Sequence, residues 1–284
     1  MFEALEFPFF QRALVAGLLA SVACGLVGAL IVVRRIATIS GGLSHSAFGG
    51  VGVAYFLGLP PLAGATVFGV LSALGIGVVY RRFRQAFDTL IAVVWSVGMA
   101  VGIIFIALTP GYAPDLNTFL FGNILVVTSF HVWMALILDL FIVAVVLFLY
   151  KELRAVTFDE EFAQVAGIPV EGIFLLLLAL IALAVVVLIN VVGVVLVIAL
   201  LTLPASAARL WVSRLSHIMV VGIGVGAVCT TTGLFASYWL SVGAGIDIPT
   251  GPMIILLATA VYAVAAVLSL SKNPSAASSG AGDA

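Results

Sequence analysis

The sequence predicts an all-α, polytopic membrane protein. Three observations carry that prediction. Of 284 residues, 64% are hydrophobic and 8% are charged, whereas a soluble globular domain carries roughly 25% charged residues. The apolar residues fall in runs of about 20, the length at which a helix crosses a hydrocarbon core. Nothing resembles the short alternating segments of a β-barrel.

Residues 9–33 form the first span, which stops at Arg34 and Arg35; a basic pair at a span end marks the cytoplasmic side. The leading MFEALE lacks the basic stretch of a secretory signal, so this span is expected to be retained, with the N-terminus outside. The segment that begins near Ile39 returns outward and turns at Pro60 and Pro61. Residues 62–80 run inward to Arg81, Arg82 and Arg84, and residues 89–108 run out to a loop of proline and glycine. Residues 117–129 are apolar but too short to span, which predicts a helix lying on the outer surface. Residues 131–150 cross inward to Lys151 and Arg154, and residues 173–189 cross outward, with a turn expected at Asn190. Residues 191–208 return to Arg209, and Pro204 should bend that helix. Residues 217–240 leave again, and residues 252–270 come back to Lys272.

These elements make about nine transmembrane helices, N-terminus outside and C-terminus cytoplasmic. The charge distribution supports the topology, because it leaves Arg12 alone on the outer side among 11 lysines and arginines. Residues 1–270 form one transmembrane domain, and residues 271–284 a flexible cytoplasmic tail with no core-forming residue. The net charge of −1 argues against a nucleic-acid partner. Cys24 and Cys229 fall inside spans, so no disulfide framework is expected.

His45 lies in the second span, and an ionisable residue there is a functional candidate. Gly41, Gly49 and Gly52 share its helix face, a stripe that admits close approach of another helix. The imidazole therefore points into the bundle, either as a ligand on a pathway or as a packing group bonded to a neighbouring carbonyl. Asp139 is the second intramembrane ionisable group. At 1.5 Å per residue, Asp139 lies roughly 18 Å from Lys151 and His45 about 15 Å from Arg35, both near mid-depth. A carboxylate and an imidazole suit divalent cations, and equally an ion pair, a proton relay, or an aspartate bonded to a neighbouring hydroxyl. His131 and His217 sit at span edges and are weaker candidates.

The cytoplasmic stretch TFDEEFAQVAGIP has its own grammar. Thr157 and Glu160 have capping-box spacing, Gly167 suits a C-cap, and Pro169 stops the helix. Phe158 precedes the acidic run Asp159, Glu160 and Glu161, while Phe162, Val165 and Ala166 share one apolar face. So short a helix is unstable alone; it must dock on a separate cytoplasmic subunit or on its own bundle. A phosphate-binding loop is absent, since the glycines from Gly49 lack a following Lys-Ser or Lys-Thr. Any nucleotide energy comes from another subunit. No span holds a nucleophile with its base or a pair of carboxylates, so an enzyme is not expected.

Five stretches, in order, resemble the membrane permease of zinc- and manganese-type ABC importers: ISGGLSHSAFGG around His45, FLFGNIL from Phe119, YKELRAVTFDEEFAQVAGI from Tyr150, VGVVLVIALLTLPASAARL from Val192, and GLFASYWL followed by DIPTGP. The resemblance implies a multi-pass permease of a bacterial or archaeal cytoplasmic (inner) membrane that works as a homodimer with cytoplasmic ABC ATPase subunits. It implies delivery of a divalent ion (zinc, manganese or iron) by an extracytoplasmic metal-binding protein. The ion is cargo, and no cofactor is expected to be held stably. Residues 157–168 become the ATPase coupling helix. Many family members carry an aspartate four residues before the signature histidine, where this chain has Gly41, which turns attention to Asp139 as a substitute. The alternatives are a permease for metal chelates of siderophore or cobalamin type, and an ATPase-independent secondary transporter or channel using His45 and Asp139 as a relay.

Overall fold

The computed structural model describes residues 3–83, 86–110, 122, 124–245 and 248–272. Among the described residues the regular structure is helical. The α-helices are α1 (Pro8–Arg34), α2 (Thr38–Phe56), α3 (Pro61–Phe83), α4 (Phe87–Leu108), α5 (Ser129–Phe148), α6 (Tyr150–Phe158), α7 (Glu160–Val165), α8 (Val170–Val192), α9 (Val194–Arg209), α10 (Leu215–Ala244) and α11 (Thr250–Lys272).

Seven of them, α1, α3, α4, α5, α8, α10 and α11, are long and apolar enough to cross a membrane. The other two predicted spans coincide with α2 and α9. Helix α2 has 19 residues, 14 of them buried. A helix enclosed by protein needs no lipid-facing side chains, so glycine and serine are admitted. Its hydroxyls are satisfied locally: Ser44 donates to the Ser40 carbonyl at 2.7 Å and Ser46 to that of Leu43 at 3.0 Å. Helix α9 has 16 residues, a rise of roughly 24 Å. It carries Pro204 without ending there.

Two groups of helices flank α8. Helices α2, α3 and α4 pack on one another, and α1, α9, α10 and α11 form the second group, with α5 against α1. Helix α8 touches α1, α2, α3 and α5, and most of it is buried. Close backbone approach defines the first group. A Cβ on Gly50 would overlap the Gly64 carbonyl of α3, and one on Gly52 would overlap Gly102 of α4. In the second group a Cβ on Gly28 would overlap the Leu201 carbonyl of α9. Ser21 and Thr230 pair their hydroxyls at 3.3 Å between α1 and α10.

Three expectations are corrected. The turn falls at Gly193, not Asn190. Gly193 has φ 85°, which a residue with a Cβ resists. The Asn190 amide instead donates to the Val186 carbonyl at 2.8 Å, one turn back within α8. Second, residues 157–168 are not one helix: α6 ends at Phe158 and α7 starts at Glu160. Third, Thr157 does not cap. The cap is Asp159, whose carboxylate accepts from Phe162 N at 2.9 Å. Thr157 lies in the last turn of α6, already committed to helical backbone. Gly167, with φ 79°, does close α7. Most of the predicted surface helix over 117–129 lies outside the described residues; what is described includes a 3-10 turn, Ile124–Val126, against α1 and α11.

Candidate functional site

His45 sits between α2 and α4. Gly49 and Gly52 let the two helices meet, Gly49 facing the Gly98 carbonyl and Gly52 facing Gly102. Gly41 lies apart from this seam, with Ile198 of α9 as the neighbour its Cβ would meet, at 3.8 Å. The imidazole stacks flat on Trp95 of α4, with ring centroids 4.5 Å apart and planes 3° from parallel. Nδ1 is buried without a hydrogen-bond partner among the described residues. The ring is thus oriented by stacking and keeps a nitrogen uncommitted. Trp95 is 43% exposed at the outer face of α4 and His45 is half-buried, so the pair opens to that face. The bonded, packing histidine weighed from the sequence does not describe Nδ1.

Asp139 is 5% exposed. It lies on the buried face of α5 with Ala135, Leu138 and Ile142. Neither carboxylate oxygen has a hydrogen-bond partner among the described residues, so the hydroxyl-bonded alternative is not what forms. Helix α2 packs on α3, α4, α8 and α9, whereas α5 packs on α1, α6 and α8. His45 and Asp139 therefore occupy different helix interfaces. Among the described residues no three His, Cys, Asp or Glu side chains come together to hold a metal ion. His131 bonds Thr128 Oγ1 through Nδ1 at 2.9 Å, and His217 is exposed in the first turn of α10.

The segment 157–168 has a side toward the bundle and a side away from it. Phe158, Phe162 and Val165 are exposed at 57%, 65% and 89%. Ala163 and Thr157 are buried, Ala166 and Glu161 are exposed. The apolar face predicted for Phe162, Val165 and Ala166 thus points away from the bundle. Glu160 turns inward. It pairs with Arg34 at the end of α1, and Arg81 at the end of α3 reaches it at 2.9 Å. Arg34 also donates to the Val156 carbonyl at 2.8 Å. Both guanidinium groups lie over the ring of buried Phe174 in α8, at 4.3 Å and 4.8 Å from its centroid.

Reading by sequence singled out His45 and Glu160 without their partners. Trp95 carries no motif; its signal is an aromatic seven residues after Asp88 in the next span but one. Arg34 and Arg81 read as topology markers, and nothing in their spacing tells which acidic residue they meet.

The sequence profile of the ABC 3 transport family matches residues 6–269. A probable metal transport system membrane protein of Chlamydia trachomatis is 39% identical over 281 residues, covering 97% of this chain and 92% of the relative. The manganese transport system membrane protein MntC of Halalkalibacterium halodurans is 33% identical over 263 residues, covering 93% of this chain and 88% of its own length. Among solved structures, PsaBC from Streptococcus pneumoniae in complex with Fab superposes with a TM-score of 0.79 at 30% identity, over 92% of each chain.

Proposed function

This chain belongs to the ABC 3 transport family, and from that membership we propose that it forms the membrane path of an ATP-driven importer of divalent metal ions. As an ABC permease it is a transport subunit rather than an enzyme. The names of its relatives, one for metal and one for manganese transport, support a metal cargo, with manganese, zinc and iron as the candidates. The observation that carries a pathway role is the His45 imidazole, stacked on Trp95 with Nδ1 unpartnered. A borderline ligand of this kind suits first-row divalent ions, and one ligand from this chain keeps binding weak enough for release.

All nine long helices cross the cytoplasmic membrane, N-terminus outside. A second copy covers the open face at Trp95 and supplies further ligands, so the working unit is a homodimer. Asp139, in its separate interface, is a second stopping point for the cation. Residues 157–168 meet a cytoplasmic ATPase through Phe158, Phe162 and Val165, which are exposed there, and an extracytoplasmic binding protein delivers the ion. Elemental analysis of cells lacking the chain tests the cargo: one of manganese, zinc or iron should fall under limiting supply. Unchanged metal content, with loss of uptake only for a preformed chelate, would replace this reading with the chelate permease.

A further inference from the structure

The acidic run at the head of α7 divides its labour. Asp159 caps the helix, Glu161 is exposed, and Glu160 reaches the ends of α1 and α3. Its two oxygens take separate partners: Oε1 pairs with Arg34 Nη2 and Oε2 with Arg81 Nη1. Those arginines belong to different helix groups, since α1 packs with α9 and α10 while α3 packs with α2 and α4. One carboxylate therefore spans the cytoplasmic seam between the groups. Removing it leaves two like charges against the same ring, Phe174.

Helix α3 continues from that contact to the His45 helix. Gly64 of α3 touches Gly50 of α2 backbone to backbone, roughly 26 Å along the axis from Arg81. Gly50 lies five residues beyond His45. At the cytoplasmic end Thr38 Oγ1 of α2 donates to Asp88 Oδ1 of α4 at 2.6 Å, so α2 and α4 are joined there too. A cavity of about 240 Å³ lies beside the Glu160 contact, lined by Arg34, Tyr80, Phe87, Thr157, Phe158 and Glu160 among others, and the Thr157 hydroxyl has no partner among the described residues.

We propose that Glu160 is a positioning residue, a carboxylate latch that fixes α7 to Arg34 of α1 and Arg81 of α3, so that displacement of α7 reaches the α2–α4 pair through α3. The inference rests on the importer reading above, and gives the Glu160 carboxylate its role through Arg34 and Arg81 of this chain.

The test compares wild type with Arg81→Gln and Glu160→Gln, each co-expressed with its ATPase subunits and reconstituted in vesicles, reading ATPase co-purification, ATP hydrolysis and manganese uptake. For Arg81→Gln the ATPase should still co-purify and hydrolyse ATP, while ions moved per ATP fall by about fivefold or more, the low end of typical coupling between sites. Glu160→Gln should lower the same ratio, and the double variant should be no worse than the lower single one, because the Arg81 contact is already broken by Glu160→Gln. Wild-type ion-to-ATP ratios in both single variants would overturn the latch, as would losses that simply track lost ATPase association. Absence of ATP-driven uptake by the wild type would instead overturn the importer reading. The two failures are thereby distinct.

Discussion

Replacing His45 with alanine should reduce divalent-metal uptake by at least about tenfold, since losing even an indirect metal partner commonly costs 10–100-fold. The ring is set by Trp95 at 4.5 Å, its Nδ1 has no hydrogen-bond partner among the described residues, and its backbone lies at a seam held by glycine contacts. Alanine fits a helix that already carries glycine and serine on every side, so membrane abundance should be unchanged. Trp95→Phe keeps an aromatic face and should retain most uptake, whereas Trp95→Ala frees the ring and should fall toward the His45→Ala level. Uptake with the isotope of each candidate metal, normalised to permease in the membrane, measures both.

Replacing Phe162 with aspartate should remove the ATPase from the purified complex. Phe162 is 65% exposed and Val165 89% exposed on a six-residue helix, and burying such a ring against a partner contributes about 1.5–3 kcal/mol. Losing that contribution weakens association by about 10- to 100-fold, and an aspartate desolvated against the partner weakens it further. Neutralising Glu161, exposed beside Phe162, should have a smaller effect, because surface charge pairs are individually weak. Co-purification of tagged permease with its ATPase subunits reads the difference directly.

The all-helical architecture was legible because the length of an apolar run acts on a whole segment. Each of the nine predicted spans coincides with a helix, α1 to α5 and α8 to α11. What sequence pattern missed are events decided by a single backbone or side-chain bond. Asn190 looked like a turn residue, yet its amide finds the Val186 carbonyl, and the glycine three residues on takes the positive φ. Thr157 and Asp159 are both capable caps, and spacing to Glu160 favoured Thr157. The backbone breaks at Asp159 instead, because α6 continues through Thr157 from Tyr150, and the Glu160 that a capping box requires is held by Arg34 and Arg81. At the site, Gly49 and Gly52 face α4 at close range, while Gly41 faces Ile198 of α9. The His45 partner, Trp95, depends on the rotation of α4 about its own axis, which hydrophobic pattern leaves open when a helix is apolar all round. The same freedom separates Asp139 from His45: similar depth in the membrane does not put two residues on facing helices.

Reconstituted vesicles offer the most direct measurement of the central claim. Permease and ATPase subunits are placed in lipid with the binding protein and manganese, zinc or iron on the side corresponding to the cell exterior, and ion accumulation is followed with and without ATP on the other. ATP-dependent accumulation that disappears when the ATPase is omitted is the predicted result. Equal accumulation by the permease alone, driven by an ion or proton gradient, would contradict it and make His45 and Asp139 parts of a secondary transporter.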